Sequence, residues 1–495
     1  MPAGSQCDRA RPPLAVHRPI CPDRRRSPSN SCRTKIPVMS STAPEASEED
    51  QDDGLSLTTS GIRRSVAAAA MGNAMEWFDF GVYGYLATTI GELFFQGQGG
   101  GSLVKSFGVF AISFLARPLG GIFFGPLGDK VGRSKVLVIT ILMMAAGTTA
   151  VGVLPTYDTI GIWAPILLIV TRLIQGFSTG GEYGGAATFI VESSPDDTRG
   201  FLSSFLEFGT LGGYTLGAGL VTLMTVLLSD QAMHSWGWRV PFLCAAPLGL
   251  FGLYLRLKLE DSAAFTSASE KGETSRSPLR EIITEHWGRM LKCIGLVVLL
   301  NVAYYTVLTY LPSYFEKNLN FSSTQSLEML IGVYIAMMIV IPFIGRLSDN
   351  VGRKPVFMAS SIGFLLLAYP AFWLFQQHSL GYTIIGLAIL AFLVVLLSGT
   401  IPSMLPAIFP TRIRYGGFAI SYNISTSAIG GTAPFVITAL ISATGNLFMP
   451  AFYLMLAAAV ALPTLFTVRE TAGKPLAGSS GLRSSQPRKP KRRTN

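Results

Sequence analysis

Six ionisable residues stand where an ionised side chain is hardest to accommodate. Glu76, Asp79, Arg117, Arg172, Glu182 and Glu207 all lie within stretches that are otherwise apolar. A carboxylate there can exchange a proton near ambient pH only if burial offsets the opposing pull of a nearby Arg. A carboxylate–guanidinium pair that parts and re-forms would therefore couple protonation to a change of shape. A pair that stays closed would only fix helix register. On a helix at ~100° per residue, Asn73, Glu76, Asp79, Phe80 and Tyr83 share one arc of about 120°, and Arg172, Gln175, Thr179 and Glu182 share another of about 80°. Gly176, Gly180 and Gly184 recur on a different face, and Gly209, Gly213 and Gly217 repeat the spacing, as small residues do where helices pack closely. The candidate proton-coupling group is Glu76, Asp79, Arg172 and Glu182.

The elements that must position these residues follow from composition. The chain has 495 residues, 49% of them apolar and only 14% charged, with a mean hydropathy of +0.43. A soluble protein carries about 25% charged residues, so the expected fold is an all-α integral membrane protein. A hydrocarbon core of ~30 Å needs ~20 apolar residues per helix. On that basis twelve spans fall near 66–94, 104–127, 136–154, 161–190, 201–228, 238–257, 290–314, 325–346, 355–375, 381–408, 415–442 and 449–468. They form two six-helix bundles, 65–258 and 290–470, joined by a polar cytoplasmic linker, 259–289. Residues 1–64 and 471–495 read as disordered cytoplasmic tails. Residues 1–38 are rich in Arg, Pro and Ser without an apolar run, and are expected to be translated upstream sequence preceding a start at Met39. With the N-terminus in the cytoplasm, only Lys105, Arg239 and Lys317 face outward and Arg117 and Arg172 lie within spans. Every other one of the 39 Lys and Arg is then inside, so both termini are expected there.

The halves repeat a motif. Gly125-x-Leu127-x-Asp129-x-x-Gly132-Arg133 recurs as Gly345-x-Leu347-x-Asp349-x-x-Gly352-Arg353, each copy after the second span of its half. Pro195-x-x-x-Arg199 and Pro410-x-x-x-Arg414 form a weaker pair. The duplicated loop resembles the signature of the major facilitator superfamily. Gly72-Asn-Ala-Met-Glu-Trp-Phe-Asp-Phe-Gly81, Arg117-Pro-Leu-Gly-Gly121, Gln175-Gly-Phe-Ser-x-Gly-Gly-Glu-Tyr183 and Trp236-Gly-Trp-Arg-Val-Pro241 resemble its metabolite:proton symporter family, over about residues 65 to 475. Asn301-Val-Ala-Tyr-Tyr305 and Phe409-Pro-Thr-Arg-Ile-Arg-Tyr415 are most similar to members that carry proline and glycine betaine.

The resemblance implies a central cavity between bundles that rock about it, and proton-coupled uptake of a small zwitterionic osmolyte across a bacterial inner membrane. The first and seventh spans face each other in that superfamily. A zwitterion needs a cation or donor at one end and aromatic faces at the other, each cation–π contact giving ~0.5–2 kcal/mol. Candidate substrate residues are Asn73, Trp77, Tyr83, Arg117, Gln175, Tyr304 and Tyr305. The loop residues Gly125, Asp129, Gly132, Arg133, Asp349 and Arg353 read as an inward gate, with the two Asp capping neighbouring helix ends. Proton symport of a di- or tricarboxylate stays open as an alternative. No GxxxxGK[ST], no CxxC and no grouped histidines occur, so an ATP-driven pump, an enzyme, a metal site and a cofactor are not expected. The expected partners are substrate, protons and lipid, with no nucleic acid.

Overall fold

The computed structural model describes residues 59–95, 100–131, 133–257, 283–410 and 413–476. The expectations on residues 1–58, on most of the 259–289 linker and on the tail beyond 476 lie outside the described residues. Every described element is helical, and no strand occurs among the described residues.

Each of the twelve expected spans coincides with helix. Eight described helices are long and apolar enough to cross a bilayer, among them Gly101–Phe124 and Arg199–Leu227 in the first half and Trp287–Leu319 through Met449–Phe466 in the second. The other four belong to the first half, where ionisable residues and breaks concentrate. The first span divides into Thr59–Tyr85 and Ala87–Phe94, the fourth into Trp163–Thr179 and Glu182–Ser193, and the sixth into Arg239–Leu243 and Ala245–Leu257. The third, Arg133–Val153, is continuous.

Small residues set the crossings. A Cβ on Gly176 or Gly180 would collide with backbone of the second span at Ser113 and Arg117. Likewise Gly209 and Gly213 press against Ala70 and Ala74 of the first span. Between the halves, the fifth span lies along the eighth, the second along the eleventh, and the first against the middle of the seventh. The seventh and eleventh spans each widen into a π-helical turn, Tyr305–Tyr310 and Thr426–Gly430, and Asn301 Nδ2 ties the two regions by donating to Thr426 Oγ1 at 3.1 Å. Such turns gather at functional sites. Large apolar side chains such as Leu216, Phe343 and Leu366 are exposed on the outer faces, where lipid would cover them.

The eighth span begins at a capping box, Ser322 with Gln325, and ends at Gly352. Gly352 has φ 113°, a conformation glycine alone adopts freely, and a Cβ there would also meet the Glu470 carboxylate. Residues 471–476 differ from the tail read in the sequence. They fold back onto the helix ends, with Leu476 buried and the Lys474 carbonyl accepting from Arg199 Nη1 at 3.2 Å.

Candidate functional site

The two arcs of the first and fourth spans meet. Arg172 Nη1 lies 3.1 Å from Asp79 Oδ2, and both side chains are buried. Asp79 Oδ1 also accepts from Thr148 Oγ1 at 2.8 Å and Gln175 Nε2 at 2.9 Å, while Arg172 Nη1 donates to Gln175 Oε1 at 2.8 Å. The Tyr83 ring lies 4.3 Å from the Arg172 guanidinium carbon, and the Tyr83 hydroxyl donates to the Ser106 carbonyl at 3.0 Å. A cavity of about 10 Å³ adjoins Asp79, lined also by Met75, Phe78, Met144 and Thr148.

Glu76 takes a different partner. Its Oε1 lies 2.5 Å from Arg117 Nη2, with both groups fully buried. Sequence reasoning gathered Glu76, Asp79, Arg172 and Glu182 into one group and read Arg117 as a candidate substrate residue. The fold sorts them into two ion pairs, Asp79–Arg172 and Glu76–Arg117. Glu182 is buried, but it starts a new helix after the break at Gly180–Gly181, so the continuous arc drawn through it is interrupted. Arg117 Nε and Nη1, and the Tyr305 hydroxyl, are buried and find no hydrogen-bond partner among the described residues. The Phe80 and Phe114 rings stand 5.6 and 5.4 Å from the Arg117 guanidinium carbon.

Aromatic side chains fill the space between the halves. The Trp77 ring lies 5.8 Å from Tyr305, 6.0 Å from Tyr304 and 5.5 Å from Tyr214, and its Nε1 donates to Asn73 Oδ1 at 3.1 Å. Asn73 in turn donates to the Leu206 carbonyl and to Thr210 of the fifth span. The fold therefore brings the Trp77, Tyr304 and Tyr305 rings together. Glu207, Thr148, Tyr183, Tyr214 and Tyr422 also belong to this core and were not assigned there. Glu207 was visible as a charge inside an apolar span. Nothing local distinguished the others from ordinary helix residues.

Both ends of the central space are bridged. Towards one end Tyr214 Oη and Thr309 Oγ1 are 2.9 Å apart, and Lys317 reaches Glu92 at 3.5 Å. Towards the other end Asp349 accepts from the backbone N–H of Gly200 at 2.8 Å and Phe201 at 2.9 Å, capping the fifth span from the opposite half. Arg353 Nη2 lies 3.4 Å from Asp349, and its Nη1 donates to Ser403 and Thr471. Arg414 meets Glu192 at 2.7 Å, and Asn423 donates to the Gly180 carbonyl at 2.5 Å. Of the first loop copy, Gly132 lies outside the described residues, as do the surroundings of Gly125 and the side chains of Asp129 and Arg133.

Helices of this number and length, closed around buried ion pairs and an aromatic centre, define a multi-pass membrane transporter. The chain belongs to the sugar (and other) transporter family, whose model matches residues 65–286 and 278–480. The glycine betaine/proline/ectoine/pipecolic acid transporter OusA of Dickeya dadantii is 46% identical over 439 residues, 87% of each chain. The proline/betaine transporter of Escherichia coli K12 is 45% identical over 429 residues, 85% of this chain and 86% of that one. The ectoine/proline transporter ProP of Corynebacterium glutamicum is 40% identical over 434 residues, 84% of this chain and 86% of that one. The major facilitator proton:xylose symporter XylE bound to 6-bromo-6-deoxy-D-glucose superimposes with a TM-score of 0.69 at 17% identity, over 84% of this chain and 98% of that one. That likeness carries the fold: the chain has the twelve-span major facilitator architecture expected from its duplicated loop.

Proposed function

We propose that the chain takes up a small zwitterion of the proline or glycine betaine type together with a proton, by alternating exposure of one central site. The observation that carries the reading is the buried Asp79–Arg172 pair beside an aromatic centre, in a chain 40–46% identical to transporters of proline, betaine and ectoine. Two opposite charges ~4 Å apart attract by about 4 kcal/mol at an effective dielectric of 20. Protonating Asp79 removes that attraction and leaves Arg172 held by Gln175 and the Tyr83 face. The first and fourth spans then lose their ion pair, and the face that the 65–258 half turns towards the 290–470 half is free to rearrange as the two tilt. Arg117, with two buried nitrogens lacking partners, is suited to receive the substrate carboxylate. Trp77, Tyr304 and Tyr305 offer ring faces to the ammonium.

We place the chain in the bacterial inner membrane with both termini in the cytoplasm, the side that the excess of Lys and Arg in the loops favours. Asp349, Arg353 and, by repetition, Asp129 and Arg133 form the inward gate.

The test is uptake of labelled proline, glycine betaine and citrate into proteoliposomes, with and without an imposed pH gradient, at two osmolalities. Glycine betaine and proline should accumulate only with the gradient. Uptake indifferent to the gradient would remove proton coupling, and movement of citrate alone would replace the zwitterion by an organic acid.

A further inference from the structure

Glu207 differs from the other acids of the centre. Its Oε1 accepts from the Tyr183 hydroxyl at 2.5 Å and its Oε2 from the Tyr304 hydroxyl at 2.6 Å. Thr210, one turn along the same helix, adds a further hydrogen bond. The ionised form of the carboxyl can accept all of these bonds at once. Asp79 and Glu76 each hold an arginine, but no Arg, Lys or His among the described residues pairs with Glu207. Phenolic donors do not neutralise a buried charge, so a site of this kind is completed by a cation brought from outside.

The surroundings say which cation. Tyr422 stacks on Tyr183 with centroids 4.3 Å apart, and Tyr304 lies 6.0 Å from Trp77. A carboxylate set among aromatic faces suits an alkylated ammonium, which has few or no N–H groups to donate and is held by charge and ring quadrupole. Tyr304, which bonds Glu207, lies 6.0 Å from Trp77, Trp77 lies 5.8 Å from Tyr305, and Tyr305 lies 5.1 Å from the Phe114 ring beside Arg117, so the two charges flank one aromatic centre.

We propose that Glu207, with Tyr183, Tyr304 and Tyr422, binds the ammonium end of the substrate while Arg117 binds its carboxylate. This rests on the zwitterion reading above and assigns the specificity-determining residue within it. Glu207 belongs to the fifth span and Tyr304 to the seventh, so their hydrogen bond joins the two halves. An arriving ammonium would replace that bond, and binding would then be felt in both halves at once.

The experiment compares equilibrium binding of labelled glycine betaine, proline and 3,3-dimethylbutanoate, the uncharged-carbon isostere of glycine betaine, to purified protein in nanodiscs. Wild type should prefer glycine betaine to the isostere at least tenfold. In Glu207→Gln glycine betaine affinity should fall at least tenfold and the preference should collapse towards unity, an outcome a merely structural role would not produce. Glu207→Asp should retain part of the preference, and it carries the same ratio test should the amide variant not fold. Unchanged affinity in Glu207→Gln with intact counterflow but no gradient-driven accumulation would overturn the assignment, making Glu207 a proton carrier. A persisting preference would overturn it too. Wild-type protein that binds neither glycine betaine nor proline would overturn the zwitterion reading itself.

Discussion

The buried acids divide by partner, and the partner sets the chemistry of each. Asp79 has a guanidinium, an amide and a hydroxyl around it, all of them donors to its oxygens. Asp79→Asn preserves the shape and keeps one oxygen for the bonds from Thr148 and Gln175, but it replaces the oxygen facing Arg172 with an NH2 donor and fixes the neutral form. Accumulation driven by a pH gradient should fall at least a hundredfold, while exchange of internal for external substrate persists. Paired uptake and counterflow measurements in proteoliposomes check this; loss of both together would make Asp79 structural. Arg172 left beside an amide would be a buried charge without its pair, a change that costs about 3–5 kcal/mol where the loss is complete. The Asn variant should therefore also melt earlier than wild type.

At the scale of the helices, close approach is the organising constraint. Gly176 lies against the Ser113 carbonyl, and a backbone atom cannot swing aside as a side-chain tip can. Gly176→Leu should destabilise the first half by about 3 kcal/mol or more, the upper range for overpacking, and should lower the yield of monodisperse protein in size-exclusion chromatography. The returning segment after the twelfth span is a second such constraint. Burial alone would push the Glu470 carboxyl up, but backbone N–H donors from Arg353, Lys354, Thr471 and Ala472 bring it below its ordinary 4.5. The folded pKa is thus below the unfolded one. Its contribution is present above pH 4.5 and is lost as pH falls through the depressed value. Hydrogen exchange at the Arg353 and Lys354 amides should accelerate, relative to intrinsic rates, only below pH 4.5. Glu470→Gln should show the faster exchange at neutral pH as well.

For the whole molecule, the balance between closed and open states decides transport. Asp349 caps the fifth span from the other half, and Arg414 with Glu192 adds a second tie across the same inner face. A carboxylate at a helix N-terminus contributes about 0.3–1 kcal/mol, and the amide also gives up one of the two accepting oxygens, so Asp349→Asn should shift the inner gate towards open several-fold. Maximal uptake rate should fall more than substrate affinity. A cysteine placed near the inner mouth should become more reactive to a membrane-impermeant thiol reagent applied from the inside. An unaltered uptake rate would argue against the gate.

The order of the spans, their helical nature and the buried character of the six ionisable residues were legible in the sequence, because a bilayer imposes length and apolarity on every crossing segment independently of its neighbours. The duplicated loop was legible for a similar reason: a helix end that must turn on a positive-φ glycine, as at Gly352, leaves a local mark. Partnership was not legible. Whether Arg117 answers Glu76 or a site nearer the cytoplasm, and whether Glu207 meets an arginine or two tyrosines from different halves, depends on how helices rotate and cross. Those angles are set by glycine contacts between segments far apart in the chain. Only the assembled bundle fixes them, because a charge in an apolar interior is stabilised by whatever tertiary packing brings within ~4 Å, not by its neighbours in sequence.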